Sequence, residues 1–225
     1  MIKIGHRGAK GFVSENTLPS FQKAMEIGVD GIELDVRLTA DGELVVIHDE
    51  AIDRTTNGNG LVSQFSLKEL KAFRINSTLE IPTLREVLNI IDKKCFINIE
   101  LKEYETADKV VALINEFIIY KNWNYSRFLV SSFNWHALQN VRVLNPEIPI
   151  GVLTETDLEM AFIFAKFLKA VAIISHYLLI NETEVIEIQN AGIKIIAWTV
   201  NEKEAIEKMK ELKINGIISD FPNRI

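Results

Sequence analysis

Short runs rich in Ile, Val and Leu alternate along this chain with segments whose apolar residues recur at i, i+3 and i+4, and that alternation constrains the fold more than any other feature. Strand-like runs stand at residues 2–6, 31–38, 44–48, 95–102, 128–133, 148–154, 170–175, 194–200 and 216–220. Helical periodicity lies between most of them, as at residues 107–120 and 158–168. A strand–helix repeat predicts parallel pairing, because each helix returns the chain to the starting end of the sheet. Two α/β architectures satisfy it, an open doubly wound sheet and a closed TIM (β/α)8 barrel. A length of 225 residues favours the barrel, near the lower limit for that fold. Only five residues follow Asp220, so the last helix is expected to be short or missing.

The chain is expected to form one domain over residues 1–225, with an insertion after the second strand at about residues 50–82. The turn signal Asn57-Gly58-Asn59-Gly60 interrupts the strand–helix rhythm there, and so long a connection in a compact domain is usually functional. Ser66 with Glu69 forms a capping-box pattern, and Phe65 with Leu70 fits a hydrophobic staple. Asn201 with Glu204 predicts a second box. Asn16 or Thr17 is expected to cap a helix that has Pro19 in its first turn.

Charge and composition remove several classes of function. Twenty-five basic against 31 acidic residues give a net charge of −6, which argues against a broad nucleic-acid surface but allows a local phosphate site. No apolar stretch approaches the roughly 20 residues of a membrane helix, so stable membrane insertion is not expected. The first residues enter a strand-like segment without a leader, and Cys95 is the only cysteine. Both point to a cytoplasmic location. Whether the chain forms a homo-oligomer is left open.

In a parallel barrel, chemistry gathers at the C-terminal ends of the strands. The polar groups there are His6 and Arg7, Glu33 and Asp35, His48 and Asp49, Glu100 and Lys102, Trp198, and Asp220. Alternation puts Glu33 and Asp35 on one face of their strand, and likewise Glu100 and Lys102 on one face of theirs. Three carboxylates converging on one mouth must take up protons, pair with cations or bind a metal. All-oxygen ligands suit Mg2+ or Ca2+. Glu33 and Asp35 alone would read as a salt-bridged pair, and Glu100 tips the balance toward a metal. Histidine exchanges protons near neutrality, and His6 and His48 both end strand-like runs, so together with the acids they favour catalysis. His136, early in a helix, reads as a surface residue, and His176 has no evident partner. Arg7 and Lys102 beside the acids suit a phosphate bridging to a metal, the alternative being a structural ion network. Trp198 is either a core cap or a wall of the substrate pocket.

The motifs Gly5-His6-Arg7-Gly8, Glu15-Asn16-Thr17, Glu33-Leu34-Asp35-Val36-Arg37, Val46-Ile47-His48-Asp49, Asn98-Ile99-Glu100-Leu101-Lys102, Ser131-Ser132-Phe133, Ala197-Trp198-Thr199 and Ser219-Asp220-Phe221-Pro222 occur in this order. In order and spacing the chain resembles the glycerophosphodiester phosphodiesterase family over essentially its whole length, departing from it mildly with Ser219 where threonine is common. The resemblance implies a TIM barrel whose insertion covers the substrate, and a divalent metal on Glu33, Asp35 and Glu100. It also implies His6 and His48 as the catalytic acid–base pair, with His6 as base, Arg7 and Lys102 as phosphate contacts, and Phe133 and Trp198 lining the pocket. The expected substrate is a small glycerophosphodiester, cleaved to glycerol 3-phosphate and an alcohol. Alternatives are a lysophospholipase D-type phosphodiesterase, another metal-assisted barrel enzyme, and a non-catalytic phosphodiester-binding barrel.

Overall fold

The computed structural model describes residues 1–225. Nine strands form one sheet: β1 (Ile2–Gly5), β2 (Gly31–Leu38), β3 (Leu44–Val46), β4 (Phe96–Leu101), β5 (Phe128–Ser132), β6 (Ile150–Thr154), β7 (Ala172–His176), β8 (Lys194–Trp198) and β9 (Gly216–Ser219). All but β3 are parallel to their neighbours, and β1 pairs with both β2 and β9, so eight strands close a ring. This is the TIM barrel expected from the strand–helix repeat.

The run at residues 44–48 departs from expectation. Its strand ends at Val46 and lies antiparallel to β2, outside the ring, with Leu44 opposite Leu38. His48 therefore reaches the barrel mouth on a loop. Its carbonyl accepts a 2.9 Å hydrogen bond from Arg37 Nε, which ties that loop to β2.

Helices α1 (Leu18–Ile27), α2 (Leu67–Leu70), α3 (Leu84–Ile91), α4 (Thr106–Lys121), α5 (Trp135–Leu144), α6 (Leu158–Leu168), α7 (Glu182–Asn190) and α8 (Lys203–Glu211) complete the chain. Seven of them surround the ring, and α2 belongs to the long connection between β3 and α3. Where an eighth outer helix would stand, a single 3-10 turn, Pro222–Arg224, packs against β1 and α1. None of the helices is long and apolar enough to cross a membrane.

Local chemistry explains the helix ends. Thr17 caps α1, accepting from Ser20 N at 3.3 Å, and Pro19 occupies the first turn, where a missing N–H costs nothing. Ser66 and Glu69 form the expected box on α2. The box expected at Asn201 and Glu204 is absent: Glu202 precedes α8 without a side-chain cap, because the Asn201 side chain is engaged by Ser219 and Asp220 instead.

Two apolar regions hold the barrel, and a third holds the long connection. Outward residues such as Ile32, Leu34, Val36, Ile97 and Ile99 meet the helices in the main core. Ile4, Leu129, Leu153, Ile174, Ile196 and Ile218 fill the ring from within. The long connection has its own small core of Val45, Ile47, Ile52, Val62, Leu70, Ile75 and Ile81, with Phe65 edge-on to Phe73 at 5.3 Å. Phe65 and Leu70, the expected staple pair, both belong to it.

Candidate active site

Strand alternation builds the acidic cluster. With Ile32, Leu34 and Val36 facing the helices, Glu33 and Asp35 must face the ring interior. The β2–β4 register then sets Glu33 beside Asn98 and Asp35 beside Glu100. All three carboxylates are buried, and one oxygen from each lies within 4.8 Å of the others.

Burial pushes the Glu33 carboxyl well above the usual range, and repulsion from Asp35 and Glu100 adds to the effect. Burial and Asp35 likewise push Glu100 up to about 7. Asp35 stays ionised: burial opposes its charge, but Arg7, Lys102 and an Asn16 hydrogen bond hold its carboxyl below the ordinary value. Lys102 Nζ lies 2.5 Å from Glu100 Oε1 and 3.5 Å from Asp35 Oδ1. Arg7 donates its backbone N–H to Glu33 Oε2 at 2.9 Å, while its Nε lies 3.3 Å from Asp35 Oδ2. Two cations thus stand against three carboxyls in the cluster. Asn98 Oδ1 and Ser131 Oγ are buried beside it without hydrogen-bond partners, Ser131 standing next to Glu100 in the ladder. Close-set anionic oxygens flanked by unpaired neutral ones fit a hard divalent cation.

The loop after β1 delivers Arg7 through a tight left-handed turn, with φ of +50° at Arg7 and +90° at Gly8. A Cβ at Gly8 would collide with Ser20, whose hydroxyl donates to the Arg7 carbonyl at 3.0 Å and accepts from Ala9 N at 2.9 Å. Only glycine suits that step.

Each candidate catalytic histidine is tied to a carboxylate through Nδ1. His6 Nδ1 lies 2.6 Å from Asp220 Oδ1, and His48 Nδ1 lies 2.7 Å from Asp49 Oδ1. A carboxylate at Nδ1 holds the proton there and presents Nε2 as the exchanging nitrogen. His6 Nε2 is 4.0 Å from Glu33 Oε2. Burial lowers the pKa of both rings, opposed at His6 mainly by the Asp220 hydrogen bond and at His48 by the Asp35 charge and Asp49. Both rings line a cavity of about 60 Å3 together with Arg7, Glu33, Glu100, Lys102, Phe133 and Trp198. A larger hollow of about 550 Å3, lined by Ile2, Phe96 and Ile196 among others, lies at the opposite end of the ring and holds no comparable cluster.

Phe133 packs edge-on to Trp198 at 5.4 Å, and His176 meets the other side of Trp198 at 5.3 Å. His176 thus stands at the mouth within an aromatic wall. His136 is exposed on α5 and lies outside the site.

Several site residues escape a sequence reading. Glu15 and Asn16, expected to act only around a helix start, reach the centre: Glu15 Oε1 accepts from Arg7 Nη1 at 2.7 Å, and Asn16 Nδ2 donates to Asp35 Oδ2 at 2.9 Å. Arg54, from the long connection, clasps Asp49 and Glu15. Asn201 holds Asp220, with Nδ2 donating to Oδ2 at 2.9 Å. Its place directly after β8 was the only signal of that role.

The glycerophosphoryl diester phosphodiesterase family model matches residues 6–224. A glycerophosphodiester phosphodiesterase of Caldanaerobacter subterraneus subsp. tengcongensis is 40% identical, over 100% of this chain and 96% of that protein. An Oleispira antarctica phosphodiesterase, solved in complex with the product sn-glycerol-3-phosphate, superposes with a TM-score of 0.91 at 30% identity, covering 100% of this chain and 95% of that one. A glycerophosphodiester phosphodiesterase from Thermotoga maritima superposes at 0.83 and 30% identity, covering 99% and 96%.

Proposed function

The chain belongs to the glycerophosphoryl diester phosphodiesterase family and is a glycerophosphodiester phosphodiesterase, and we propose that it works by paired-histidine acid–base catalysis at a divalent-metal site. The observation that carries this reading is the convergence on one small cavity of two carboxylate-backed imidazoles with Glu33 and Glu100, which share a buried acidic cluster with Asp35.

The substrate is a small glycerophosphodiester, and the products are glycerol 3-phosphate and an alcohol. Of the apolar residues Leu61, Val62 and Phe65 that a lysophospholipid reading would call on, Val62 is buried in the core of the long connection and Phe65 packs against it, which favours the small substrate. Glu33, Asp35 and Glu100 would hold Mg2+ or Ca2+, which would supply neutralisation of the phosphoryl charge. Arg7 and Lys102 face the phosphate and offset the charge gained in the transition state. His6 takes the proton of the attacking group, either water or the neighbouring glycerol hydroxyl whose cyclic phosphate water then opens, and His48 gives one to the departing alkoxide oxygen as its bond to phosphorus breaks. That order is the one the family resemblance implies; both rings feel the Asp35 charge and the opposing Arg7 charge. Phe133 and Trp198 wall the pocket.

Two acid–base contributions of about 10²–10⁴-fold each correspond to roughly 5–11 kcal/mol. The acceleration required is roughly 8–23 kcal/mol, so charge neutralisation and positioning must supply the rest. The test is release of glycerol 3-phosphate from glycerophosphocholine, followed after chelation and again after adding back Mg2+ or Ca2+. Activity should vanish and return. Full turnover after thorough demetallation would remove the three acids from the mechanism, and binding without release would make the protein a receptor for phosphodiesters.

A further inference from the structure

Arg54 lies in the long connection, remote in sequence from the strands that carry the acids, and about half its side-chain surface is exposed. Its planar guanidinium makes two forks at once. One edge meets Asp49, with Nε to Oδ2 at 2.5 Å and Nη2 to Oδ1 at 3.1 Å. The other meets Glu15, with Nη2 to Oε1 at 2.7 Å and Nη1 to Oε2 at 3.1 Å. Both carboxylates are shared with site residues. The Asp49 oxygen that takes Nη2 also meets His48 Nδ1 at 2.7 Å, and the Glu15 oxygen that takes Nη2 also accepts from Arg7 Nη1 at 2.7 Å.

We propose that Arg54 is a positioning residue: through Asp49 it fixes the His48 ring, and through Glu15 it fixes the Arg7 guanidinium, so that seating the long connection sets both. The inference rests on the reading above that His48 and Arg7 act on the phosphodiester. Stability alone does not account for the arrangement, since pairs made by a half-exposed guanidinium, though their carboxylates are more buried, contribute little to folding. Geometry does, since two carboxylate planes are held by one rigid fork that a lysine ammonium, a single point charge, cannot reproduce.

The test is steady-state turnover of glycerophosphocholine with saturating Mg2+ by Arg54→Ala and Arg54→Lys, with Arg85→Ala as control. Arg85 forks Glu116 far from the cavity. Both Arg54 variants should lose about 10- to 100-fold in kcat while unfolding near the wild-type temperature, and the control should keep its kcat. In a double-mutant cycle, Arg54→Ala should cost much less once Asp49 is already alanine, because the two act as one unit. Should Arg54→Ala fail to fold, Arg54→Lys carries the same comparison. Near-wild-type kcat in the folded variant, or losses that simply multiply in the cycle, would overturn the inference. Unimpaired turnover by His48→Ala would instead overturn the catalytic reading beneath it.

Discussion

His6 and His48 meet one requirement with different neighbours. Under the proposed mechanism each needs a fixed tautomer with Nε2 toward the phosphodiester, and each has a carboxylate at Nδ1 to set it, Asp220 for one and Asp49 for the other. Removing either imidazole should lower kcat by about 10²-fold or more without unfolding the protein, measured by glycerol 3-phosphate release and thermal denaturation. Ordinary turnover in a variant would strip that ring of its role. Asp220→Asn probes the support more finely. Its amide can turn an N–H toward Nδ1 and favour the wrong tautomer, so kcat should fall by about 10- to 100-fold. The Ser219 hydroxyl, where threonine is common in the family, donates to Asn201 Oδ1 at 3.0 Å and accepts from Phe221 N at 3.0 Å, so the exchange keeps both bonds around Asp220.

Between elements, burial in the ring and the Asp35 charge that the β2–β4 register sets beside it push the Glu100 carboxyl up to about 7. The sign of the linkage is definite. In the metal-free protein the native state favours protonated Glu100, so its contribution to stability is present at low pH and fades as pH rises from the usual carboxylate range through about 7. Asp35 and Asp220, held below their usual value, contribute the opposite way and lose stability only in stronger acid. A cation needs the ionised form, so Mg2+ binding should release protons and strengthen as pH rises from about 6 to 8. Calorimetry in buffers of different ionisation enthalpy measures this, and a proton-free, pH-independent affinity would exclude Glu100 as a ligand. At this scale the sequence was largely legible. Ring strands buried on both faces read as apolar runs, and the acids within β2 and β4 stand out against Ile, Leu and Val. Asn201 was misread because a local pattern fitted a helix cap, whereas its real partners lie on and beyond β9, 18 and 19 residues away. Arg54 was invisible for a related reason: nothing in its own neighbourhood distinguishes it from any exposed arginine.

Across the whole molecule, the ring is plugged below the site by Ile4, Leu129, Ile174, Ile196 and Ile218, so substrate can enter only from the face carrying the acids and histidines. Ile174→Ala should cost about 2–5 kcal/mol of stability in denaturant unfolding. A negligible loss would mean that the ring interior collapses around the gap. The protein's net charge of −6 should repel an anionic ester, which leaves attraction to Arg7, Lys102 and, in the proposed mechanism, the cation that the three acids would hold.

His6 and its carboxylate partner are separated by 214 residues and meet because the first strand pairs with the last. During synthesis on the ribosome, the acids at 33, 35 and 100 are made long before Asp220 emerges. A nascent chain lacks the carboxylate that orients His6 until β9 is translated and docked beside β1. Under the proposed mechanism, hydrolytic competence would arrive only with that docking, and a product cut short before Asp220 would be left without it.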